Sequence, residues 1–183
     1  EDIQMFRELG ADGVVTGCLR ADGTLDVDRM SVVRECAGSL HLTLHRAFDV
    51  CKEPYKTLEE AVETGVDTIL TSGQASCCAE GKEVLKKLIR QADGRIEILV
   101  GSGVNAEIIR RMTEDVRASS FHMSGKQILD SGMIHRNPCI HMGLPGFSEY
   151  NILRTDREEI QKAKQVLKRL EAGQAGTDSE KGE

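Results

Sequence analysis

The feature of this sequence that most constrains its fold is a regular alternation of short apolar runs with longer amphipathic segments. After each run and a turn, apolar residues recur at helical spacing, and the pair repeats at the length of a strand–loop–helix unit. The five runs are residues 14–19, 40–45, 68–71, 96–100 and 119–123. Such a rhythm predicts an α/β fold in which parallel strands are joined by helical crossovers.

Local signals predict where some of the helices begin and where the folded part ends. Asn105 is placed to cap one helix, and Thr57 with Glu60 has the spacing of a capping box for another. Near the end, the chain turns to glycine, serine, threonine and charged residues. We therefore expect a folded domain over 1–171 and a disordered polar tail over 172–183.

Five strand–helix units are too few to close a barrel, so two architectures remain open. One is an open doubly wound sheet, and the other is a TIM-type (β/α)8 barrel of which this chain supplies about the last five βα units. The dinucleotide-binding pattern G-x-G-x-x-G is absent, because the run that starts at Gly101 reads G-S-G-V-N-A. The main sequence argument for a Rossmann domain is thereby removed.

Composition excludes several classes of function. The net charge is −6, aromatic residues make up 3% and there is no Trp, so neither a basic nucleic-acid surface nor a base-stacking platform is expected. The sequence contains no run of eighteen apolar residues, so it does not predict a membrane-spanning helix. The six cysteines lack a C-x-x-C pair, which favours free thiols in a reducing cytosolic or nuclear compartment.

Polar residues concentrate where the predicted strands end, which is the position of the working residues in parallel βα folds. Strand alternation predicts that His45 and His122 lie on one face, opposite the face that the helices cover. Imidazoles and a carboxylate at one edge favour acid–base chemistry, so the catalytic candidates are His45, Asp49 and His122. The alternative is that both histidines are hydrogen-bonded core residues.

The same loops favour an anion-binding site. Glycines let backbone N–H groups approach a ligand closely, and the following helix presents the positive end of its dipole. The candidates are Arg46, Ser72, Gly73, Gly101, Ser102, Gly103, Ser124 and Lys126. The alternative is that these glycines only form tight turns.

A pair of adjacent cysteines is the candidate metal site of the sequence. Cys77 and Cys78 are the candidate ligands, because thiolates suit copper(I). However, the side chains of adjacent cysteines diverge, and the paired C-x-x-C motifs of structural zinc sites are missing. The residues alone therefore leave the ligand set unknown.

The sequence resembles the CutC family, and several ordered elements carry the resemblance. These are H-R-A-F-D at 45–49, D-G-T-L-D at 22–26, L-T-S-G at 70–73, G-S-G-V at 101–104 and F-H-M-S at 121–124. The resemblance implies a TIM-type barrel entered here at its fourth strand, so that the chain is N-terminally truncated. Ser102 and Gln74 stand where the family has glycine, and Cys77-Cys78 where it has small residues.

The resemblance also implies a copper homeostasis protein that binds copper(I) and is located in the cytoplasm, and also in the nucleus. Two cysteines that the family carries on its first two strands are missing from this chain, which puts a copper site built on them in doubt. Two alternatives stay open: a barrel enzyme acting on a small anionic, phosphorylated substrate, and an inactive truncated product. The exposed sheet edges of such a product predict a homo-oligomer.

Overall fold

The structure is a computed structural model that describes residues 1–140, 142–143 and 146–178. It divides into two compact units, Glu1–Met123 and Ser124–Glu183. The predicted domain over 1–171 thus extends across both units.

The first unit alternates helices and strands as the apolar rhythm predicts. Its helices are α1 (Asp2–Glu8), α2 (Val27–Ala37), α3 (Pro54–Glu63), α4 (Lys82–Ala92) and α5 (Ala106–Val116), with a 3-10 segment at Arg46–Val50. Its strands are β1 (Gly13–Thr16), β2 (His41–Leu44), β3 (Thr68–Thr71), β4 (Glu97–Val100) and β5 (Ser120–Phe121). All five predicted runs overlap a strand.

The order of the strands decides between the two architectures. All neighbouring strands are parallel, and the sheet order is β1-β2-β3-β4-β5. A doubly wound sheet reverses its strand order at a switch point, whereas the strands of a TIM-type barrel follow one another in sequence. The sheet is therefore that of a partial TIM-type barrel.

The start of α5 agrees with its predicted cap, whereas the start of α3 does not. The Asn105 side chain accepts a hydrogen bond from the Ile108 N–H at 2.9 Å, and α5 begins directly after it. The capping box at Thr57 and Glu60 is wrong, because α3 already begins at Pro54. Proline is favoured in the first turn, where its missing N–H costs nothing.

One face of the sheet packs against the helices and forms the core. Leu42, Leu44, Ile69 and Val100 are buried on this face. Strand register puts the alternate residues on the other face, which we call the distal face. It carries Gly13, Val15, His41, Thr43, His45, Thr68, Leu70, Glu97, Leu99, Ser120 and His122.

The second unit contains an antiparallel hairpin that sequence analysis missed. Strands β6 (Lys126–Asp130) and β7 (Asn151–Thr155) pair, and helix α6 (Arg157–Asp178) follows. This helix covers the first seven residues of the predicted tail, and 179–183 lie outside the described residues. Among the helices described, none combines the length and apolarity that crossing a membrane requires.

A surface network between α3 and α4 yields the first prediction. Hydrogen bonds from Arg95, and then from Gln91, lower the pKa of Glu59 from 4.5 to about 2. Because the folded-state pKa is depressed, this stabilisation is present above pH 4.5 and is lost as the pH falls towards 2. We expect Glu59→Gln to flatten the acid limb of the stability curve, measured by urea denaturation between pH 5 and pH 2.

The control for this prediction is Glu83→Gln. Glu83 is an exposed glutamate of α4 without an ion pair among the described residues, so its replacement should leave the acid limb unchanged. Equal curves for the Glu59 and Glu83 variants would contradict the prediction.

Candidate functional site

The carboxyl ends of the five parallel strands lie along one edge of the sheet and carry most of the predicted site. His45 directly follows β2 and His122 directly follows β5. Register places both on the distal face, as strand alternation predicts. Because β3 and β4 lie between, the two residues are roughly 14 Å apart along the sheet. They share a face without forming a directly bonded pair.

The His45 imidazole has a defined orientation. Its Nδ1 accepts a hydrogen bond from the Ala47 N–H at 3.2 Å, at the start of the 3-10 segment. Nδ1 is therefore unprotonated in this arrangement, and Nε2 carries the proton when the ring is neutral. Nε2–H has no acceptor among the described residues and is available to a ligand.

Gly17 leaves the space in which this imidazole lies. A Cβ at Gly17 would lie 2.9 Å from His45 Nδ1 and 2.6 Å from Leu44 Cδ1. We expect Gly17→Ala to displace the ring and break its bond to Ala47. The change should appear as a shift of the His45 imidazole signals in a histidine NMR spectrum.

Gly132→Ala is the matched control, because a Cβ at Gly132 meets no atom within 4 Å. It should leave the His45 signals in place. Unchanged His45 signals in Gly17→Ala would show that the ring orientation does not depend on this glycine.

Asp49 is the centre of the most highly bonded cluster at this edge. Its side chain is 6% exposed. Oδ1 accepts from Thr71 Oγ1 at 2.5 Å, from the Ser72 N–H at 3.0 Å and from the Gln74 N–H at 3.1 Å. Oδ2 accepts from Ser72 Oγ at 3.0 Å and from Arg46 Nε at 2.7 Å. The carboxylate thus fastens the loop after β3 to the 3-10 segment.

The protonation state of Asp49 follows from this cluster. Burial by itself raises the pKa of the carboxyl group, but hydrogen bonds from Thr71, Arg46, Gln74 and Ser72 outweigh it and hold the pKa below its ordinary value. An ionised carboxylate whose oxygens are occupied by donors has little capacity to take a substrate proton. This arrangement favours a positioning role, and the catalytic role of Asp49 stays a prediction.

Arg46 is hydrogen-bonded within the same cluster through two of its nitrogens, Nε and Nη2. Nε bonds Asp49, and Nη2 donates to Ser72 Oγ at 2.8 Å. Its side chain is 44% exposed, and Nη1 has no partner within the part of the chain described. A guanidinium fixed on one side and open on the other suits an anionic group.

The glycine turn after β4 uses several of its polar groups within the fold. Ser102 and Gly103 have φ values of +69° and +76°. Ser102 Oγ donates to the Ser76 carbonyl, and the Ser102 carbonyl accepts from the Cys78 N–H. The turn therefore holds the loop before α4, and anion binding by Gly101, Ser102 and Gly103 stays a prediction.

The other predicted anion-binding residues fall into two groups. Ser72 and Gly73 donate their N–H groups to Asp49 and to Thr71 Oγ1. Ser124 and Lys126 belong to the second unit, where Lys126 opens β6. Their participation in an anion site is untested.

Four of the six free cysteines lie in loops at the carboxyl edge of the first unit. Cys18 follows β1, Cys51 follows the 3-10 segment, and Cys77 and Cys78 follow β3. Burial raises the pKa of both the Cys51 and the Cys78 thiol, so these two remain protonated and unreactive. Cys18 and Cys77 are half-buried.

The described residues do not fit a resident metal centre. No three His, Cys, Asp or Glu side chains converge anywhere in residues 1–140, 142–143 and 146–178. A copper ion held by three protein donors is therefore not supported by this set of side chains. Cys77 and Cys78 remain candidate ligands without a third donor beside them.

A polar chain at the opposite, amino end of the strands was missed by sequence analysis. His41 Nε2 lies 2.8 Å from Thr68 Oγ1, which donates to Glu97 Oε2 at 3.0 Å, and Ser120 Oγ also bonds Glu97. These side chains join four strands across the distal face. The sequence does show polar residues at the strand starts. It does not show that they bond one another, because the hydrogen-bonded residues lie 23 to 29 positions apart.

Comparison with known proteins identifies what the chain is similar to. A family model described as "CutC family" matches residues 1–127. A Parabacteroides distasonis protein named "family protein CutC" is 42% identical over 160 residues, which are 87% of this chain and 66% of that protein. A Bacteroides fragilis protein of the same name is 43% identical over 143 residues, which are 78% of this chain and 57% of that protein.

A solved structure is similar as well. It is the crystal structure of a Streptococcus agalactiae protein provisionally named copper homeostasis protein CutC. The TM-score is 0.63 at 30% sequence identity, and the match covers 66% of this chain and 60% of that one. The chain thus spans 57 to 66% of the length of the two curated relatives.

Proposed function

Because the chain belongs to the CutC family, we propose that it acts in copper homeostasis and binds copper(I) in the cytoplasm. The name of the Streptococcus agalactiae relative supports the copper assignment. The observation that carries the proposal for this chain is the grouping of Cys18, Cys51, Cys77 and Cys78 in the loops at one sheet edge. Thiolates are the preferred protein ligands of copper(I).

Copper is cargo in this proposal and not a resident cofactor. Of these four, Cys18 and Cys77 are the thiols that copper(I) can reach. Cys18 follows β1, whereas Cys77 lies beside the turn after β4, because a Cβ at Gly103 would lie 3.2 Å from the Cys77 Cβ. Strands β1 and β4 are three strand spacings, roughly 14 Å, apart. Each would therefore bind copper(I) together with a thiol from outside the chain.

The test is an anaerobic titration with copper(I) in competition with a chromogenic chelator. We expect Cys18→Ser and Cys77→Ser each to remove part of the bound copper. Cys36→Ser is the control, because Cys36 lies in α2 and outside the edge loops. Copper binding no stronger than that of the chelator, or equal in all three variants, would refute the proposal.

A second candidate function is catalysis on a small anionic, phosphorylated substrate. The observation that favours it is the open Nη1 of Arg46. His45 Nε2–H and the exposed His122 lie along the same edge and would supply acid–base groups. Titration with inorganic phosphate and with sugar phosphates tests it, and Arg46→Gln should abolish binding where Arg110→Gln does not.

A further inference from the structure

The loop that joins β6 to β7 in the second unit is rich in soft metal ligands. Within ten positions it contains the sulfur atoms of Met133, Cys139 and Met142 and the imidazole of His135. All four residues are exposed, Met133 by 53% and Met142 by 78%. Of the six cysteines, all of which the structure describes, only Cys139 is exposed. A thiol, two thioethers and an imidazole are therefore open to solvent in one short segment.

Hydrogen bonds fix the first half of this loop through Arg136. Its guanidinium donates to both carboxylate oxygens of Asp130 at 2.9 Å, and its Nε donates to the Met133 carbonyl at 2.8 Å. The same guanidinium lies 4.3 Å from the ring centre of Tyr150, which directly precedes β7. The backbone at Met133 is thereby held close to the residue at which β7 begins.

Further bonds anchor Cys139 and Met142 at the same place. The Tyr150 hydroxyl accepts from the Asn137 N–H, and the Asn137 side chain accepts from the Cys139 N–H at 3.0 Å. Glu149, the neighbour of Tyr150, accepts from the Met142 N–H. The backbones at all three sulfur-bearing residues are thus fastened around residues 149 and 150. Cys139 and Met142 are three residues apart, so their α-carbons are separated by at most about 11 Å.

We propose that this loop is a copper(I) acquisition site, in which the Cys139 thiolate and the thioethers of Met142 and Met133 bind the ion and His135 is available as a fourth donor. Thiolate and thioether sulfurs select copper(I) over harder cations. The thiol releases its proton to solvent as the ion binds, and the resulting thiolate neutralises the single positive charge. Methionine has three rotatable bonds, so both thioethers can turn towards an ion held at the exposed thiol. The site rests on the proposed copper function and uses residues other than the thiols at the carboxyl edge of the first unit.

The experiment is an anaerobic titration of the purified chain with copper(I), followed by NMR of the labelled methionine methyl groups. Copper(I) is diamagnetic, so the signals of methionines that bind it shift without being broadened by unpaired electrons. We expect the signals of Met133 and Met142 to shift and those of Met30 and Met112, which are buried in the first unit, to stay in place. Unchanged signals of Met133 and Met142 in a copper-loaded protein would overturn the site.

Two substitutions in the loop give a second readout. Cys139→Ser removes the thiolate and should weaken copper(I) binding at the loop on the order of tenfold. Met142→Leu keeps the size of the side chain, removes its sulfur and should weaken binding by a smaller factor. The controls are Cys36→Ser, at a half-buried thiol of α2, and Met5→Leu, at an exposed thioether of α1. Equal binding in the loop variants and their controls would contradict the proposal.

The loop site and the edge thiols fail separately in these measurements. If copper is lost with Cys18→Ser or Cys77→Ser but not with Cys139→Ser, the proposed function stands and the loop site is refuted. If the Met133 and Met142 signals shift while binding in the Cys18 and Cys77 variants equals that of the wild type, the loop site stands and the edge thiols are refuted. A chain that binds copper(I) no more tightly than the competing chelator refutes both.

Discussion

Replacing Asp49 with alanine is expected to lower the free energy of unfolding of the first unit by about 3–5 kcal/mol. The carboxylate is almost fully buried and accepts hydrogen bonds from Thr71, Ser72, Gln74 and Arg46. Its loss leaves the Ser72 and Gln74 N–H groups and the Thr71 hydroxyl without their carboxylate acceptor, and each such group costs about 1–3 kcal/mol where it is buried. The guanidinium of Arg46 also loses its ion-pair partner.

The measurement is urea denaturation followed by circular dichroism at pH 7. The matched control is Asp115→Asn, which breaks the exposed ion pair with Lys82 and should cost less than about 1 kcal/mol. Asp49→Asn separates shape from charge, because the amide nitrogen cannot accept the bonds that Oδ1 or Oδ2 accepts. A loss below about 1 kcal/mol for Asp49→Ala would show that the cluster does not stabilise the loop.

The same carboxylate predicts a pH dependence. Because the pKa of Asp49 is lowered in the folded state, its stabilisation is present above the ordinary value near 3.8 and is lost as the pH falls below it. The wild type should therefore lose stability on acidification below pH 4. The Asp49→Asn variant, which has no carboxyl group to protonate at this position, should lose less.

Gly81→Ala is the second substitution with a large expected effect, a loss of about 3 kcal/mol. A Cβ at Gly81 would lie 1.9 Å from the Ser72 carbonyl oxygen and 2.9 Å from Gly73 Cα. These are backbone atoms of the loop that Asp49 fastens, so the clash cannot be relieved by turning a side chain. Either α4 or the loop must move. Asp49 holds the loop by hydrogen bonds, and α4 is packed into the core through Leu85 and Leu88.

Gly94→Ala provides the contrast. Gly94 has a φ of +73°, but a Cβ there meets no atom within 4 Å, so alanine costs only the left-handed strain of about 1–2 kcal/mol. Gly81 has an ordinary φ of −82°, so its effect is purely steric. A Gly81→Ala protein as stable as Gly94→Ala, in thermal unfolding followed by circular dichroism, would show that the two loop ends do not need this close approach.

The candidate site contains one feature that the sequence pattern predicts and one that it does not. The H-R-A-F-D run and the polar strand ends predict correctly that polar side chains lie along one edge of the sheet, because parallel strands share their direction. The role of Asp49 was not visible in this pattern. Apart from Arg46, its donors lie 22 to 25 residues further along the chain, and only the pairing of β2 with β3 brings them to it.

The hairpin of the second unit is a similar case. Ile128 and Ile152 lie on strands that pair although twenty residues separate the two strands in the sequence, and neither strand has an apolar run strong enough to predict it. The start of α3 also escaped prediction. Thr57 and Glu60 match a capping box locally, but Pro54 starts the helix one turn earlier.

By itself, the sequence determined the alternation of strands and helices, the cap at Asn105 and the family, because these depend on neighbouring residues and on ordered motifs. Tertiary structure alone decided that Asp49 holds the loop after β3 and that His41, Thr68 and Glu97 form a polar chain across the strands. Hydrogen bonds between distant residues decide these features, and local periodicity carries no record of which distant groups will meet.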